Sequence, residues 1–453
     1  MNRRTFLRSA ATALAAGALS RLPAQTAAAP RPQKTSPAGR KLRVAFVGVA
    51  NRGFINLMGC VEAGAEVAAL CDVNRPLADT AFNIFPDVPR YRDYRQMLDE
   101  MHDRIDAVVI STPDHMHYPI ALLALGRGKH IYVEKPLTHT VAEARALRQA
   151  AARAGLVTQL GIQGHAGNGT RLAKEWVDAG VIGPVREVIC WTQGRAFANS
   201  PYYPAEPIPE TIEWNLWQGV APEQAPYSGK LTDRMWRQFW LFGSAALGDM
   251  GSHIIDAPFW ALDLRGDCKI SATTSERDNI ALSSPKSVHV TYEFPARGAK
   301  PPCKLSWYAG GFMPASWPSE FDTGTFDANG RPSSYGCLLL GDGGVIYMND
   351  AYCTAPRLLP AERWAAFQKN RPPRTIPRVP KGDQYAEWIA ACRGVGPAPG
   401  AGIADHSAQL TETVLLGNIA TRTGRSLNYD ATQSLFIGDP DATRLLGKTY
   451  RQF

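Results

Sequence analysis

The chain has 453 residues, 45% of them hydrophobic, and a formal net charge of +8 at pH 7. Seven of its basic residues and none of its acids fall in positions 1–40, so the remainder is nearly neutral. Nucleic-acid binding calls for a basic face and is excluded on that ground.

Positions 1–40 stand apart. Met1-Asn2-Arg3-Arg4-Thr5-Phe6-Leu7-Arg8, followed by an apolar run from Ala10 to Leu19, has the pattern of a twin-arginine export signal plus linker. A spanning helix needs about 20 apolar residues, more than this run supplies. Ala24 and Ala27-Ala28-Ala29 offer small residues for cleavage; an uncleaved anchor is the other reading. This route carries proteins already folded. The expectation is therefore a periplasmic or secreted protein, with the twin-arginine machinery as a partner, that leaves with any cofactor already inside.

From Lys41 strands and helices alternate. Strands are predicted at 41–49, 66–72, 105–111, 130–133 and 157–161. Helices are predicted at 54–63, 76–85, 94–102, 119–126 and 140–154, the last opened by a capping box of Thr140 and Glu143. This βαβ rhythm implies an α/β class with a doubly wound, parallel Rossmann sheet over 41–163 and a ligand crevice at the strands' carboxyl ends. The rhythm changes near residue 164. A helix at 170–179, a strand at 185–192 and a long, proline-containing stretch at 195–235 lead to strands at 269–274, 288–294, 304–307 and 338–348, then helices at 384–392 and 407–421. Positions 164–453 thus read as an α+β domain for substrate binding and dimerisation, with a large open mixed or antiparallel sheet.

Five constellations carry chemistry. Gly48-Val49-Ala50-Asn51-Arg52-Gly53 sits at a strand-to-helix turn and matches the dinucleotide fingerprint with Ala50 in place of the middle glycine. Gly48 permits the tight turn, Gly53 the close helix–strand packing, and the helix N-terminus offers N–H groups to phosphates. Asp72 ends the second strand, where a carboxylate binds ribose hydroxyls and repels a 2′-phosphate; NAD is favoured over NADP. Ser111-Thr112-Pro113, with His117 just beyond, closes the next well-defined strand and would wall the nicotinamide side. Asp114, His115 and His117 lack a further ligand element, so no metal is expected. Glu134-Lys135-Pro136 ends a strand; a Lys in a cleft there would be desolvated and suited to move a proton, although the tripeptide alone also reads as surface. Asp249 and His253, four apart on a predicted helix, would share a face, a carboxylate orienting an imidazole.

Taken together, the Gly48–Gly53 turn, Asp72, Thr112-Pro113, Glu134-Lys135-Pro136 and Asp249…His253 resemble the Gfo/Idh/MocA oxidoreductase family over roughly residues 41–430, and within it an exported subgroup. The resemblance implies Lys135, Asp249 and His253 as the catalytic group, Lys135 on the reacting hydroxyl and His253 taking its proton. It places Gln163 and His165 near nicotinamide or substrate. It also implies a homo-oligomer built on the open sheet.

Six of the eleven Trp fall between 191 and 260. Flat aromatic faces suit the C–H faces of a sugar, so a sugar or glycoside is the expected substrate, with Trp191, Trp214, Trp217 and Trp236 as surfaces and Tyr202, Tyr203, Arg195 and Arg237 as polar partners. Trp240 and Trp260 read as core. An exported enzyme has no free coenzyme pool, so NAD is expected to be tightly bound and recycled. The recycling is by a second redox half-reaction, or by transient oxidation that permits epimerisation or glycoside cleavage. A non-catalytic sugar binder and a scaffold or assembly subunit are the remaining alternatives. The paired carboxylates of an ordinary glycosidase are not evident. No two of the eight Cys have CxxC spacing, and mostly free thiols are expected.

Overall fold

The computed structural model describes residues 39–193, 197, 199–321 and 332–453. The export signal expected at 1–40, save its last two residues, and Arg195 lie outside the described residues.

The first sheet has six strands: β1 (Arg43–Val47), β2 (Glu66–Cys71), β3 (Arg90–Tyr91), β4 (Ala107–Ile110), β5 (His130–Glu134) and β6 (Thr158–Gly161). They lie in the order β3-β2-β1-β4-β5-β6, and every pairing is parallel. All residues of β4, β5 and β6 are buried, as expected when helices cover both faces of a parallel sheet. The order in which strands are added to the sheet reverses between β1 and β4, so their carboxyl ends, at Gly48 and Ser111, open the crevice. The Thr140/Glu143 capping box is formed. One helix begins earlier than expected, at Asp114 rather than Pro119, because Pro119 lies inside it. Proline's preference for a first turn misled the reading.

The second sheet has nine strands: β7 (Val185–Thr192), β8 (Cys268–Thr274), β9 (Val288–Phe294), β10 (Cys303–Ala309), β11 (Tyr335–Gly341), β12 (Gly344–Met348), β13 (Arg357–Leu359), β14 (Leu427–Asp430) and β15 (Leu435–Phe436). Their order is β13-β12-β11-β7-β10-β9-β8-β14-β15. Only β7–β10 pairs in parallel, which makes the sheet mixed. The single strand expected at 338–348 is a hairpin, β11 turning at Asp342-Gly343 into β12. Apolar residues on both sides of the turn had concealed it, though Asp-Gly is a turn signature.

The two halves are stitched late in the chain. The helix Gln384–Cys392 returns to the first sheet, where Trp388 and Ile389 share a core with Leu57 and Val109. All eight cysteines are free and buried. Among the described residues no helix is long and apolar enough to cross a membrane.

Candidate active site

The Gly48 turn is shaped by exclusion. Gly48 has φ +79°, and a Cβ there would sit 2.7 Å from the Ser111 carbonyl oxygen. A Cβ on Gly53 would come within 2.0 Å of the Gly48 oxygen. Both glycines therefore let the helix Arg52–Glu62 start hard against the strand ends, with its first-turn N–H groups at the crevice. The Asp72 carboxylate braces the same turn, accepting from Val49 N and Asn74 N at 2.9 Å each. Burial pushes this carboxyl up, while those backbone bonds pull it down and only partly offset the rise.

A cavity of about 520 Å³ opens above the turn. That lies within the range of small-molecule and cofactor sites. Of the residues expected to hold a dinucleotide, Gly48, Ala50, Asn51, Arg52, Asp72, Ser111, Thr112, Pro113, Glu134, Lys135 and Gln163 line it. Gly53 does not, since it is spent on packing. The glycine cradle, the helix N-terminus and the Asp72 carboxylate fit the coenzyme that the fingerprint implies.

Glu134 organises the floor. Its Oε1 accepts from Arg52 Nε at 3.1 Å and from Asn56 Nδ2 at 3.0 Å. In the amide orientation that satisfies its neighbours, the Gln163 oxygen accepts from Arg52 Nη1 at 3.0 Å. Asn56 also takes the Tyr385 hydroxyl at 2.8 Å, which ties the returning helix to the site.

Lys135, Asp249 and His253 all line this cavity. Lys135 Nζ donates to Asp249 Oδ1 at 2.5 Å and to the Asp249 carbonyl at 2.8 Å. The ammonium is therefore ion-paired, not the lone desolvated amine that the tripeptide suggested. Arg237 Nε approaches the same Asp249 oxygen at 3.7 Å and its guanidinium lies 4.3 Å from the Trp236 ring. Asp249 lies in a π-helical turn, Leu247–Gly251, immediately before His253, and both side chains face the cavity. His253 is buried, and its Nδ1 finds no hydrogen-bond partner. Burial first, then the Lys135 ammonium, hold its imidazole well below the usual range against the pull of Asp249. It is a neutral base facing an ammonium.

Three expectations are corrected. His117 lies outside the cavity lining; its two ring nitrogens sit 2.8 Å from the carbonyls of Pro136 and Thr112, so it joins the two loops from behind. Trp191 is fully buried on the second sheet, its Nε1 donating to the Ser333 carbonyl at 2.8 Å, and does not line this cavity. A bulky side chain alternating inward on a strand is core, and the aromatic content alone hid this. His165 is also buried away from the cavity. Its Nδ1 meets Asp256 Oδ2 at 2.9 Å, and His406 Nε2 meets Asp256 Oδ1 at 2.6 Å.

No metal ligands were read from the sequence, yet the fold gathers this group of metal-ligand chemistry. Burial alone would raise the Asp256 carboxyl, but the two imidazoles outweigh it and hold the carboxyl well below the carboxylate range.

Sequence reasoning missed Asp114, Asn74, Tyr94 and Tyr352 as lining residues. The Tyr352 ring meets His253 edge-on at 5.2 Å. It sits in a loop braced by Asp350, without a motif to mark it. Of the expected sugar surfaces, Trp217 and Trp236 line the cavity, and Trp214 stacks behind Trp217 at 4.8 Å.

The comparisons with known proteins agree with this fold. Residues 42–162 match the Gfo/Idh/MocA oxidoreductase family's NAD-binding Rossmann fold, and residues 172–297 match its C-terminal alpha/beta domain. A glycosyl hydrolase family 109 protein of Shewanella sp. (strain W3-18-1) is 35% identical over 163 residues, 32% of this chain and 35% of that protein. The chain thus spans about a third of the length of the curated relatives it matches. Among solved structures, the WlbA dehydrogenase from Bordetella pertussis, in complex with NADH and UDP-GlcNAcA, is similar at 16% identity and a TM-score of 0.58, covering 85% of this chain and 98% of that one. Aldose-aldose oxidoreductase from Caulobacter crescentus is similar at 19% identity and a TM-score of 0.55, covering 86% and 100%. An inositol dehydrogenase homolog from Azotobacter vinelandii gives 16%, 0.56, 88% and 99%. At these identities the structures attest the fold. The two family matches together span more than half of the residues: the chain belongs to the Gfo/Idh/MocA oxidoreductase family.

Proposed function

We propose that the protein moves hydride between a ring CH–OH of a sugar or glycoside and an NAD that it holds tightly. The observation that carries this reading is the Lys135–Asp249 pair facing His253 in the cavity that begins at the Gly48 turn. NAD, when bound, supplies the hydride acceptor. Lys135 would donate a hydrogen bond to the reacting oxygen, and the neutral His253 would take the hydroxyl proton. Asp249 holds the ammonium in place. Trp217 and Trp236, with Arg237 between Trp236 and Asp249, offer an aromatic and cationic wall to the ring. The UDP-GlcNAcA bound by one solved relative and the aldoses in the name of another favour the same substrate class.

A second reading has its own support. The curated relatives are named glycosyl hydrolase family 109 proteins. Oxidation beside a C–H bond acidifies that bond: once His253 has passed the hydroxyl proton to solvent it would take the C–H proton, the glycosidic oxygen would leave as its alcohol, water would add across the resulting double bond, and return of the hydride to the carbonyl carbon would restore the coenzyme. This also suits a protein sent out by the twin-arginine leader to a periplasmic or secreted location, away from a coenzyme pool. A homo-oligomeric assembly belongs to the reading as well.

Mass spectrometry of the ligand released on denaturation should find NAD. Reduced-nicotinamide absorbance on adding a sugar panel, with product analysis, separates the chemistries: a net change marks the dehydrogenase, a cleaved glycoside without net change marks the hydrolase. NAD-loaded protein that binds sugars and does neither is a binder, and both catalytic readings fall.

A further inference from the structure

We infer that two segments far apart in the chain, residues 209–217 and 447–453, close as a clasp over the adenosine half of the dinucleotide and govern how slowly it leaves. The inference rests on the coenzyme reading above and adds residues that no motif marks. The adenosine end is fixed by Asp72, the carboxylate placed for ribose hydroxyls. The chain just after Asp72 is where the first segment docks. Ile212 forms an antiparallel bridge with Asn74, Arg75 N donates to the Thr211 carbonyl at 3.2 Å, and Glu213 N donates to the Val73 carbonyl at 2.9 Å. Glu213 also pairs with Arg92, a cavity-lining residue that follows Tyr91, whose carbonyl accepts from Asp72 N at 3.0 Å.

The second segment is anchored and then laid across. At its root Glu143 Oε1 takes the Tyr450 hydroxyl at 2.6 Å and the Lys448 ammonium at 3.2 Å. Arg451 then donates to the Asn215 side chain at 2.7 Å and to its carbonyl at 2.9 Å, which binds one segment to the other. Arg95 donates to the Phe453 carbonyl at 2.9 Å and lies 4.4 Å from its ring. Phe453 lines the same cavity as Asp72, Arg92 and Tyr94. The contacts Arg92–Glu213, Asn215–Arg451 and Phe453–Arg95 therefore tie the two segments to each other and to the stretch 92–95, of which Arg92, Asp93 and Tyr94 line the cavity. Such half-exposed pairs add little to overall stability. As a gate they act on release instead, since a ligand beneath leaves only when they open together.

The test uses the whole protein loaded with isotopically labelled NAD and chased with unlabelled NAD, label loss being followed by mass spectrometry. The wild type is compared with Glu213→Ala/Arg451→Ala, and with Asn215→Ala should the double variant melt early. The variants should lose label about tenfold faster, the change that one or two lost contacts gives. Equal release from wild type and folded variants overturns the clasp while leaving the coenzyme reading intact. Wild-type protein that takes up no NAD at all overturns both.

Discussion

Lys135 Nζ and Asp249 Oδ1 lie 2.5 Å apart although 114 positions separate them, one at the end of β5 and the other in the π-helical turn before His253. Both side chains are largely buried, so neither tolerates the loss of its partner. Asp249→Asn should cut turnover by about 10²–10⁴-fold, the range of a positioned proton-handling group. It should also lower stability by about 3 kcal/mol, the cost of leaving a buried charge unpaired. Lys135→Met with Asp249→Asn should recover much of that stability and none of the activity, with NAD retained. Thermal unfolding and single-turnover rates check this; a double variant as unstable as Asp249→Asn alone would mean that the two charges are not coupled.

Asp114 gives the site a pH signature. Burial pushes its carboxyl up to about 6 from the ordinary 3.8, although His117, Arg237 and Lys135 pull the other way. The folded chain therefore holds this proton more tightly than the unfolded chain. The sign follows: its contribution is most favourable below pH 3.8 and is lost as pH climbs through about 6. Asp114→Asn should remove that slope and gain up to about 3 kcal/mol over wild type at neutral pH, at roughly 1.4 kcal/mol per pH unit. Urea unfolding at mildly acidic and neutral pH measures it, and parallel slopes in the two proteins would show that Asp114 does not titrate there.

The fingerprint glycines differ in what they permit. A Cβ on Gly53 would drive into the Gly48 carbonyl at 2.0 Å, backbone that cannot swing aside. Gly53→Ala should cost about 1–3 kcal/mol by overpacking and should loosen NAD. Ala50→Gly should do neither, because Ala50 already lines the cavity without blocking it. Coenzyme content after gel filtration and the unfolding midpoint report both. A Gly53→Ala protein that keeps its NAD would remove close helix packing from the account.

What the sequence disclosed follows from how local each signal is. The parallel sheet was legible because buried strands such as Val108–Ile110 and the Gly48 turn announce themselves within a few residues. Lys135 and Asp72 were legible for the same reason: each sits at a strand end that topology turns toward the crevice. His165 and Trp191 were misplaced because chemistry-bearing residue types say nothing of which face they occupy. Only the approach of Asp256 and His406, from far along the chain, shows His165 to be buried structure. The π-turn at Leu247–Gly251 was illegible because a 3.6-residue period was assumed through Asp249 and His253. Tyr352 and Phe453 reach the cavity through loops and a tail, where no periodicity exists to read.

The Asp256 cluster should prove structural. Its two oxygens serve His165 and His406, all three side chains being buried. Asp256→Asn replaces one acceptor with a donor and removes the charge, which should cost about 3 kcal/mol. Because His253 lies three residues away, turnover should fall only as far as the helix shifts. A variant that melts like wild type but has lost its activity would instead place Asp256 in the chemistry.

Asp72 tests the coenzyme end from the other side. Its carboxylate has two duties, bracing Val49 N and Asn74 N and facing the cavity. Asp72→Asn keeps one acceptor oxygen but sets an amide N–H₂ against a backbone N–H, so the turn loosens by about 1–2 kcal/mol. The lost charge also ends the repulsion of a 2′-phosphate. Retention of NAD should therefore fall while binding of NADP falls less, narrowing the ratio between them by about tenfold. Titration of the coenzyme-stripped protein with each dinucleotide gives that ratio. If it stays constant while both affinities drop, Asp72 is a brace alone and the ribose is read by another group.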